Sequence, residues 1–187
     1  MSSKITKLEQ FLSATLLQSK VADLVLLGAK SPFDILEIFE LSFHSDQVLG
    51  FRAGWLLEAI AEFDSARFAP ILPQFLSKMA AQKNLSCQRH FSKILLIMTH
   101  PKAPSSYRAA LLSTDRESIV ETLFSWLIDP QTPVAVLANC MDVLYYLSKE
   151  FDWIQKELSL QIEFLMEQRN SPALFSRGKR VLKKLSK

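Results

Sequence analysis

The chain has 187 residues, of which 49% are hydrophobic, so it is long enough for one domain or one continuous stack with a sizeable core. Only four glycines occur, which is few for an α/β enzyme, because phosphate-binding loops and tight turns use glycine. The net charge is +3, but residues 170–187 carry six basic residues and no acidic one, so a mildly acidic body of 169 residues carries a basic C-terminal segment.

The spacing of apolar residues and the helix-capping residues predict ten helices and no strand. The first two helices, at residues 5–17 and 20–27, form an N-terminal capping pair within residues 1–30. Each later helix follows a capping side chain or a hydroxyl residue with proline behind it, because both stabilise a helix start. These starts are Ser31-Pro32, Asp46, Asp64, Ser86, Thr114 or Asp115, Thr132-Pro133, Asp152 and Ser171-Pro172.

Prolines interrupt this order at two places. Pro70 and Pro73 lie near the start of the fifth helix and are predicted to bend or delay it. Residues 99–114 form an insert between two sub-stacks, because two X-Pro steps push the residues before them out of the helical conformation. Within this insert, residues 107–112 are predicted to form one or two helical turns.

One helix pattern recurs four times along the chain. Arginine or asparagine is followed by apolar residues four, five and eight positions later, starting at Arg52, Arg89, Asn139 and Arg177. The second copy is imperfect, because Lys93 occupies one of the apolar positions. The copies are 37, 50 and 38 residues apart, and the insert accounts for the longest interval. A period of about 40 residues on a helical background is typical of stacked helix pairs.

These units resemble HEAT repeats and, more loosely, armadillo repeats, over residues 31–187. The run Asp46-x-Val48-x-x-x-Arg52-Ala53 is similar to the start of a HEAT second helix, in which an acidic residue caps and an arginine follows. The resemblance implies an all-α fold, a right-handed α-α superhelix (solenoid) of about five antiparallel helix pairs, in a single domain over residues 1–187. The second helices would line a concave face, and the basic helix within 170–187 would cap the stack.

Positions between the core residues of the second helices are predicted to face this groove. They include Glu58, Asp142, Tyr145 and Tyr146. Tyrosine combines apolar area with a polar tip and is enriched in interface hot spots, so the tyrosine pair predicts a partner-binding surface. The alternative is that one tyrosine packs in the core and the other is merely exposed.

The repeated arginines Arg52, Arg89 and Arg177 have two interpretations. They form a ladder that faces an anionic partner, or each guanidinium bonds a neighbouring acid or helix carbonyl within the protein. The resemblance to HEAT repeats favours the second interpretation.

The last helix contains five candidates for anion binding: Arg177, Lys179, Arg180, Lys183 and Lys184. Such a cluster would hold the phosphates of a nucleic acid or the surface of an anionic membrane. The alternative is a solvated basic face, with the apolar residues of the same helix docked on the previous pair.

No feature of the sequence predicts catalysis, a metal ion or a cofactor. P-loop, nucleophile-elbow, HExxH and GxGxxG motifs do not occur. Cys87-x-x-His90 lacks the second ligand pair that a zinc site needs, and Cys87 and Cys140 are predicted to be reduced core thiols. No apolar run approaches about 18 residues and no signal-peptide pattern is present, so the sequence predicts a cytoplasmic protein without a membrane span.

The leading functional hypothesis is a non-enzymatic scaffold that binds a protein or peptide partner through its concave face. The alternative is nucleic-acid binding, because some HEAT-like proteins are DNA glycosylases that hold duplex DNA in a basic concave face. This chain departs from that pattern, since its excess of positive charge is confined to residues 170–187 instead of being spread over several second helices. An enzyme or an enzyme-associated subunit is the third hypothesis, and no motif supports it.

Overall fold

The structure, a computed structural model, describes residues 7–15 and 33–187. Within these residues it contains α-helices and short 3-10 turns, and no strand. The chain divides into two compact units, Met1–Ile94 and Leu95–Lys187. The all-helical architecture that the apolar spacing predicts is therefore confirmed for the described ranges.

The described part of the first compact unit contains short and medium helices. Their bounds are Lys7–Thr15 for α1, Ile35–Leu41 for α2, Gln47–Phe63 for α3, Ser65–Phe68 for α4, Leu72–Lys78 for α5 and Leu85–Thr99 for α6. The helix α3 packs against α1, α2 and α4. The helix α6 continues past residue 94 into the second unit.

Two predicted caps and the predicted proline bend in this unit are confirmed. The Asp46 carboxylate accepts hydrogen bonds from the backbone N–H groups of Val48 and Leu49, at 2.8 and 3.2 Å, and begins α3. The Asp64 side chain likewise accepts from the backbone of Arg67 and begins α4. Pro70 then lies in a 3-10 turn at Ala69–Ile71, which delays the next α-helix, and Pro73 lies in the first turn of that helix, where its missing N–H group is not needed.

The capping contacts at three helix starts differ from those that the residue types suggested. The helix α2 begins after Asp34, whose carboxylate accepts from the N–H of Leu36. The helix α6 begins after Asn84 instead of Ser86, because the Asn84 side-chain oxygen accepts from the backbone of Ser86 at 3.0 Å. The hydroxyl of Thr132 makes no capping bond, so the start of the following helix rests on Pro133. In each case the cap depends on side-chain direction, which a residue type alone does not specify.

The core of the first unit is an aromatic cluster. Phe75 is fully buried, and its ring centroid lies 4.8 Å from that of Phe91, 5.5 Å from that of Phe68 and 6.0 Å from that of Phe39. The rings are tilted or edge-on to one another, which is the favoured arrangement for aromatic pairs. Since the four rings come from α2, α4, α5 and α6, this cluster joins helices that are distant in the sequence.

The second compact unit contains five complete helices. Their bounds are Ser105–Leu112 for α7, Glu117–Ile128 for α8, Val134–Leu147 for α9, Trp153–Gln168 for α10 and Pro172–Leu185 for α11. The centre of the unit is α9, which packs against α8, α10 and α11, and α10 and α11 also pack together. The insert predicted between the sub-stacks contains α7, which is two turns long and within the predicted range of one or two turns.

The helices α10 and α11 approach closely at Gly178. A methyl group built on this glycine would lie 2.6 Å from the sulfur of Met166 and 3.0 Å from a methyl carbon of Ile162. Glycine therefore permits the contact between the two helices at this point. The predicted start of α11 is confirmed, since the Ser171 hydroxyl accepts from the N–H of Leu174 at 3.4 Å.

Some predicted features lie outside the described residues. The helix predicted at 20–27 and the predicted start at Ser31-Pro32 both fall in the range 16–32, to which the described residues do not extend. Among the helices that the structure describes, none combines the length and apolar character needed to cross a membrane.

Candidate functional site

The first arginine of the repeated pattern is bonded within the protein. The Nη1 atom of Arg52 donates to the backbone oxygens of Leu12 at 3.0 Å and Ser13 at 3.2 Å. These carbonyl groups belong to α1. Arg52 therefore ties α1 to α3.

The last arginine of the pattern belongs to a partly buried ion cluster between α9 and α11. The Asp142 side chain is only 5% exposed and accepts from Nη1 of Arg177. Its two carboxylate oxygens also lie 3.0 and 3.3 Å from Nη2 of Arg180, which is 53% exposed. One buried carboxylate thus holds two guanidinium groups in place, which satisfies the requirement that a buried charge be paired.

The three arginines therefore do not share one environment. Arg52 bonds helix carbonyls and Arg177 bonds an acid, as in the second of the two interpretations of the pattern. Arg89 is exposed on α6. The same register therefore meets a different neighbour at Arg52 than at Arg177.

The two predicted tyrosines lie beside this ion cluster. The Tyr145 and Tyr146 ring centroids are 5.5 Å apart, and both side chains are partly exposed. The ammonium of Lys184 lies 4.9 Å from the Tyr145 centroid and 6.0 Å from the Tyr146 centroid, within the range of cation–π attraction. Burial, followed by the charge of Asp142, raises the pKa of Tyr146, so its phenol stays protonated and able to donate a hydrogen bond.

The tyrosines and the cations beside them form one surface, which we call the basic-aromatic surface. It comprises Tyr145 and Tyr146 of α9, and Arg177, Arg180 and Lys184 of α11, above Asp142. The three cations are spaced at i, i+3 and i+7, which places them on one side of α11. They face one buried carboxylate, so the surface keeps a net charge of +2. Asp142 lies beneath the arginines, so an approaching partner meets the guanidinium groups that Asp142 positions.

The other two predicted anion-binding lysines are placed elsewhere on α11. The ammonium of Lys179 lies 4.5 Å from the ring centroid of Phe175. Lys183 lines a separate depression together with Ser159 and Glu163 of α10. The basic residues of α11 therefore point in different directions, and Lys179 and Lys183 provide a matched comparison for the basic-aromatic surface.

The remaining predicted partner-binding residue, Glu58, belongs to the first compact unit. Its Oε2 atom lies 2.6 Å from Nδ1 of His90, whose side chain is 5% exposed. The ring of His90 also lies against that of Phe51, with centroids 5.1 Å apart. The structure thus gives Glu58 an intramolecular partner and does not group it with the tyrosines in one unit.

The environment of Cys87 does not resemble a zinc site. Its thiol lies 3.5 Å from the backbone oxygen of Ser42, and burial raises its pKa to about 12. Zinc binds the thiolate, and burial disfavours that form. Among the residues that the structure describes, no group of histidine, cysteine and acidic side chains is arranged to hold a metal ion.

Both cysteine thiols are expected to resist labelling in the folded protein. Burial raises the pKa values of Cys87 and Cys140, so the reactive thiolate is nearly absent at about pH 8. A disulfide reagent at that pH should label both thiols only after the chain is unfolded in denaturant. Rapid stoichiometric labelling without denaturant would contradict the buried positions.

The same burial makes the free energy of unfolding depend on pH in the alkaline range. The unfolded Cys87 thiol ionises near its ordinary pKa of 9.0, whereas the folded one keeps its proton up to about 12. Unfolding therefore releases protons between these values, and the free energy of unfolding falls as pH rises through this window. The variant Cys87→Ala should show a shallower fall than the parent protein in urea denaturation.

A recess lies between the insert and the end of α9, within the second compact unit. It has a volume of about 280 Å³ and adjoins the basic-aromatic surface, because Tyr146 lines both. Its apolar lining includes Met98, Leu111 and Leu147, all of them buried. We call it the insert recess.

Sequence reasoning missed the charged residues of the insert recess. Arg108 and Arg116 line it, and Arg116 pairs with Glu150 at 2.9 Å. The repeat pattern gives no register for these residues, since they lie in or next to the segment that interrupts it. The 50-residue interval between two copies of the pattern indicates that an insert is present, but it does not indicate how the side chains of the insert are oriented.

The chain is similar to a known protein family. A family model described as a HEAT repeat domain matches residues 8–185. No curated protein and no solved structure matches the chain. The match covers almost the whole chain and confirms the resemblance and the α-solenoid fold class that the repeated pattern predicts.

Proposed function

Because the chain belongs to the HEAT repeat domain family, we propose that it is a non-enzymatic scaffold that binds an acidic segment of a protein partner. The binding site is the basic-aromatic surface of α9 and α11. The observation that carries the proposal is the row of Arg177, Arg180 and Lys184 beside two partly exposed tyrosines. Tyrosine and arginine are the residue types that dominate interface hot spots.

The burial of Asp142 supports a binding role for the two arginines. Long cationic side chains lose rotamer freedom when they bind, and this loss weakens association. The Asp142 carboxylate already holds both guanidinium groups, so part of that ordering is complete before a partner arrives. Their net charge remains positive, which favours an acidic segment over a neutral one.

The size of the charged surface favours a protein over nucleic acid. A protein that grips duplex DNA through its backbone makes about 6–10 phosphate contacts. The basic-aromatic surface offers three cations, and one carboxylate offsets part of their charge. The two tyrosines would also stack on exposed bases, so single-stranded nucleic acid is the alternative occupant.

Affinity capture with the full-length protein, with and without nuclease, tests the proposal. A photo-crosslinking residue in place of Tyr145 identifies what contacts the surface, and the same residue in place of Lys156, exposed on α10, is the control. The proposal expects one saturable protein that crosslinks at Tyr145, survives nuclease and is released by salt. Loss of the crosslinked product on nuclease treatment would replace the protein partner with nucleic acid.

A further inference from the structure

The insert recess has the chemistry of a receptor for one apolar side chain beside a carboxylate. Its floor is apolar, formed by Met98, Leu111 and Leu147, which are 1%, 8% and 3% exposed. At its edge, Leu112 is 73% exposed, although large apolar side chains gain free energy when they are covered. The recess therefore offers apolar area that an inserted side chain would bury.

The charges at the edge of the recess are unbalanced. Arg116 has a counterion in Glu150, and the two charges cancel. Arg108 is exposed, and within the part of the chain that the structure describes its guanidinium has no ion-pair partner. A ligand that places a carboxylate at Arg108 would gain a charge-assisted hydrogen bond beside its apolar anchor.

The openness of the recess favours a side chain over a whole small molecule. Small-molecule sites enclose most of the ligand surface. The insert recess, of about 280 Å³, is open at one side, so it would cover only part of a ligand. Its position next to Tyr146 lets one extended segment lie on the basic-aromatic surface and insert a side chain into the recess.

We propose that the insert recess anchors the partner by accepting a large apolar side chain whose neighbouring carboxylate pairs with Arg108. This proposal rests on the proposed function, because it assumes that the partner of the basic-aromatic surface is a polypeptide. It gives the insert at residues 99–114 a recognition role and defines the partner segment as one in which acidic and large apolar residues are interspersed.

A methyl-labelled NMR titration of the full-length protein tests this proposal. The probe is a short peptide of interspersed glutamate and leucine residues. One matched peptide carries glutamine in place of glutamate, and a second carries alanine in place of leucine. We expect saturable shifts of the Met98 and Leu111 methyl signals with the first peptide. The glutamine peptide and the alanine peptide should each bind with an affinity lower by about tenfold or more.

Two protein variants complete the experiment. Arg108→Gln should lower the affinity for the glutamate-leucine peptide by about tenfold, whereas Lys102→Gln should change this affinity by less than about twofold. Both remove one exposed positive charge from the insert, but Lys102 does not line the recess. Equal effects of the two variants would mean that the peptide responds only to net charge, which would overturn the proposal.

The positions of the shifts separate this proposal from the proposed function. Shifts of the Val143 and Val181 methyl groups, in the buried layer of α9 and α11, without shifts at Met98 would refute the recess and leave the basic-aromatic surface as the site. Absence of shifts at both places would contradict the two proposals together. Shifts at Met98 that the alanine peptide also causes would exclude an apolar anchor.

Discussion

Replacement of Phe75 by alanine is expected to lower the free energy of unfolding of the first compact unit by about 3–5 kcal/mol. Phe75 is fully buried, and its ring contacts three other phenylalanines that come from three different helices. Alanine would leave a cavity at the centre of this cluster, because the surrounding rings cannot all move inward together. The measurement is urea denaturation followed by far-ultraviolet circular dichroism.

Phe63 offers a matched control for this substitution. It lies at the end of α3 and is 55% exposed, so Phe63→Ala removes the same atoms from a position that is already partly hydrated. We expect this change to cost less than about 1 kcal/mol. If the two alanine variants unfold at the same urea concentration, the aromatic cluster is not the core of the unit.

The second large effect is expected at Leu144 in the centre of α9. This side chain is fully buried in a helix that packs against α8, α10 and α11, so Leu144→Ala should cost about 2–5 kcal/mol. The repeated pattern places Leu182 at the same register of α11, but there the side chain is only half-buried. Leu182→Ala should therefore cost less, about 1 kcal/mol.

The comparison of these two leucines is best made in a single experiment. Denaturation can be followed by tryptophan fluorescence, to which the buried Trp126 of the same compact unit contributes. We expect Leu144→Ala to lower the free energy of unfolding more than Leu182→Ala does. The reverse order would mean that the register of α11 against α9 is displaced from the one described.

The sequence predicted well those features that depend on neighbouring residues. Asp46, Asp64 and Ser171 each begin the helix that follows them, because a capping bond joins residues only two or three positions apart. The family resemblance also followed from local spacing, since each repeat carries the same helical register. Asn84 was missed as a cap because Ser86, two positions later, is an equally good capping residue type.

The candidate site depended on contacts that local spacing does not reveal. Asp142 and Arg177 are 35 residues apart, and only the packing of α9 against α11 brings them together. The five basic residues of α11 were one group in the sequence, but helical geometry separates Lys179 and Lys183 from the side that faces the tyrosines. Arg108 lies in the insert, where no repeat register applies.

The most direct test of a binding site on the basic-aromatic surface compares two double variants of α11 in partner capture. Arg180→Gln with Lys184→Gln removes two charges from the basic-aromatic surface, and Lys179→Gln with Lys183→Gln removes two from elsewhere on the same helix. Circular dichroism and the unfolding temperature show whether each variant is folded. We expect the first variant to lose the captured partner and the second to retain it. Equal retention or equal loss by the two folded variants would contradict a binding site on this surface.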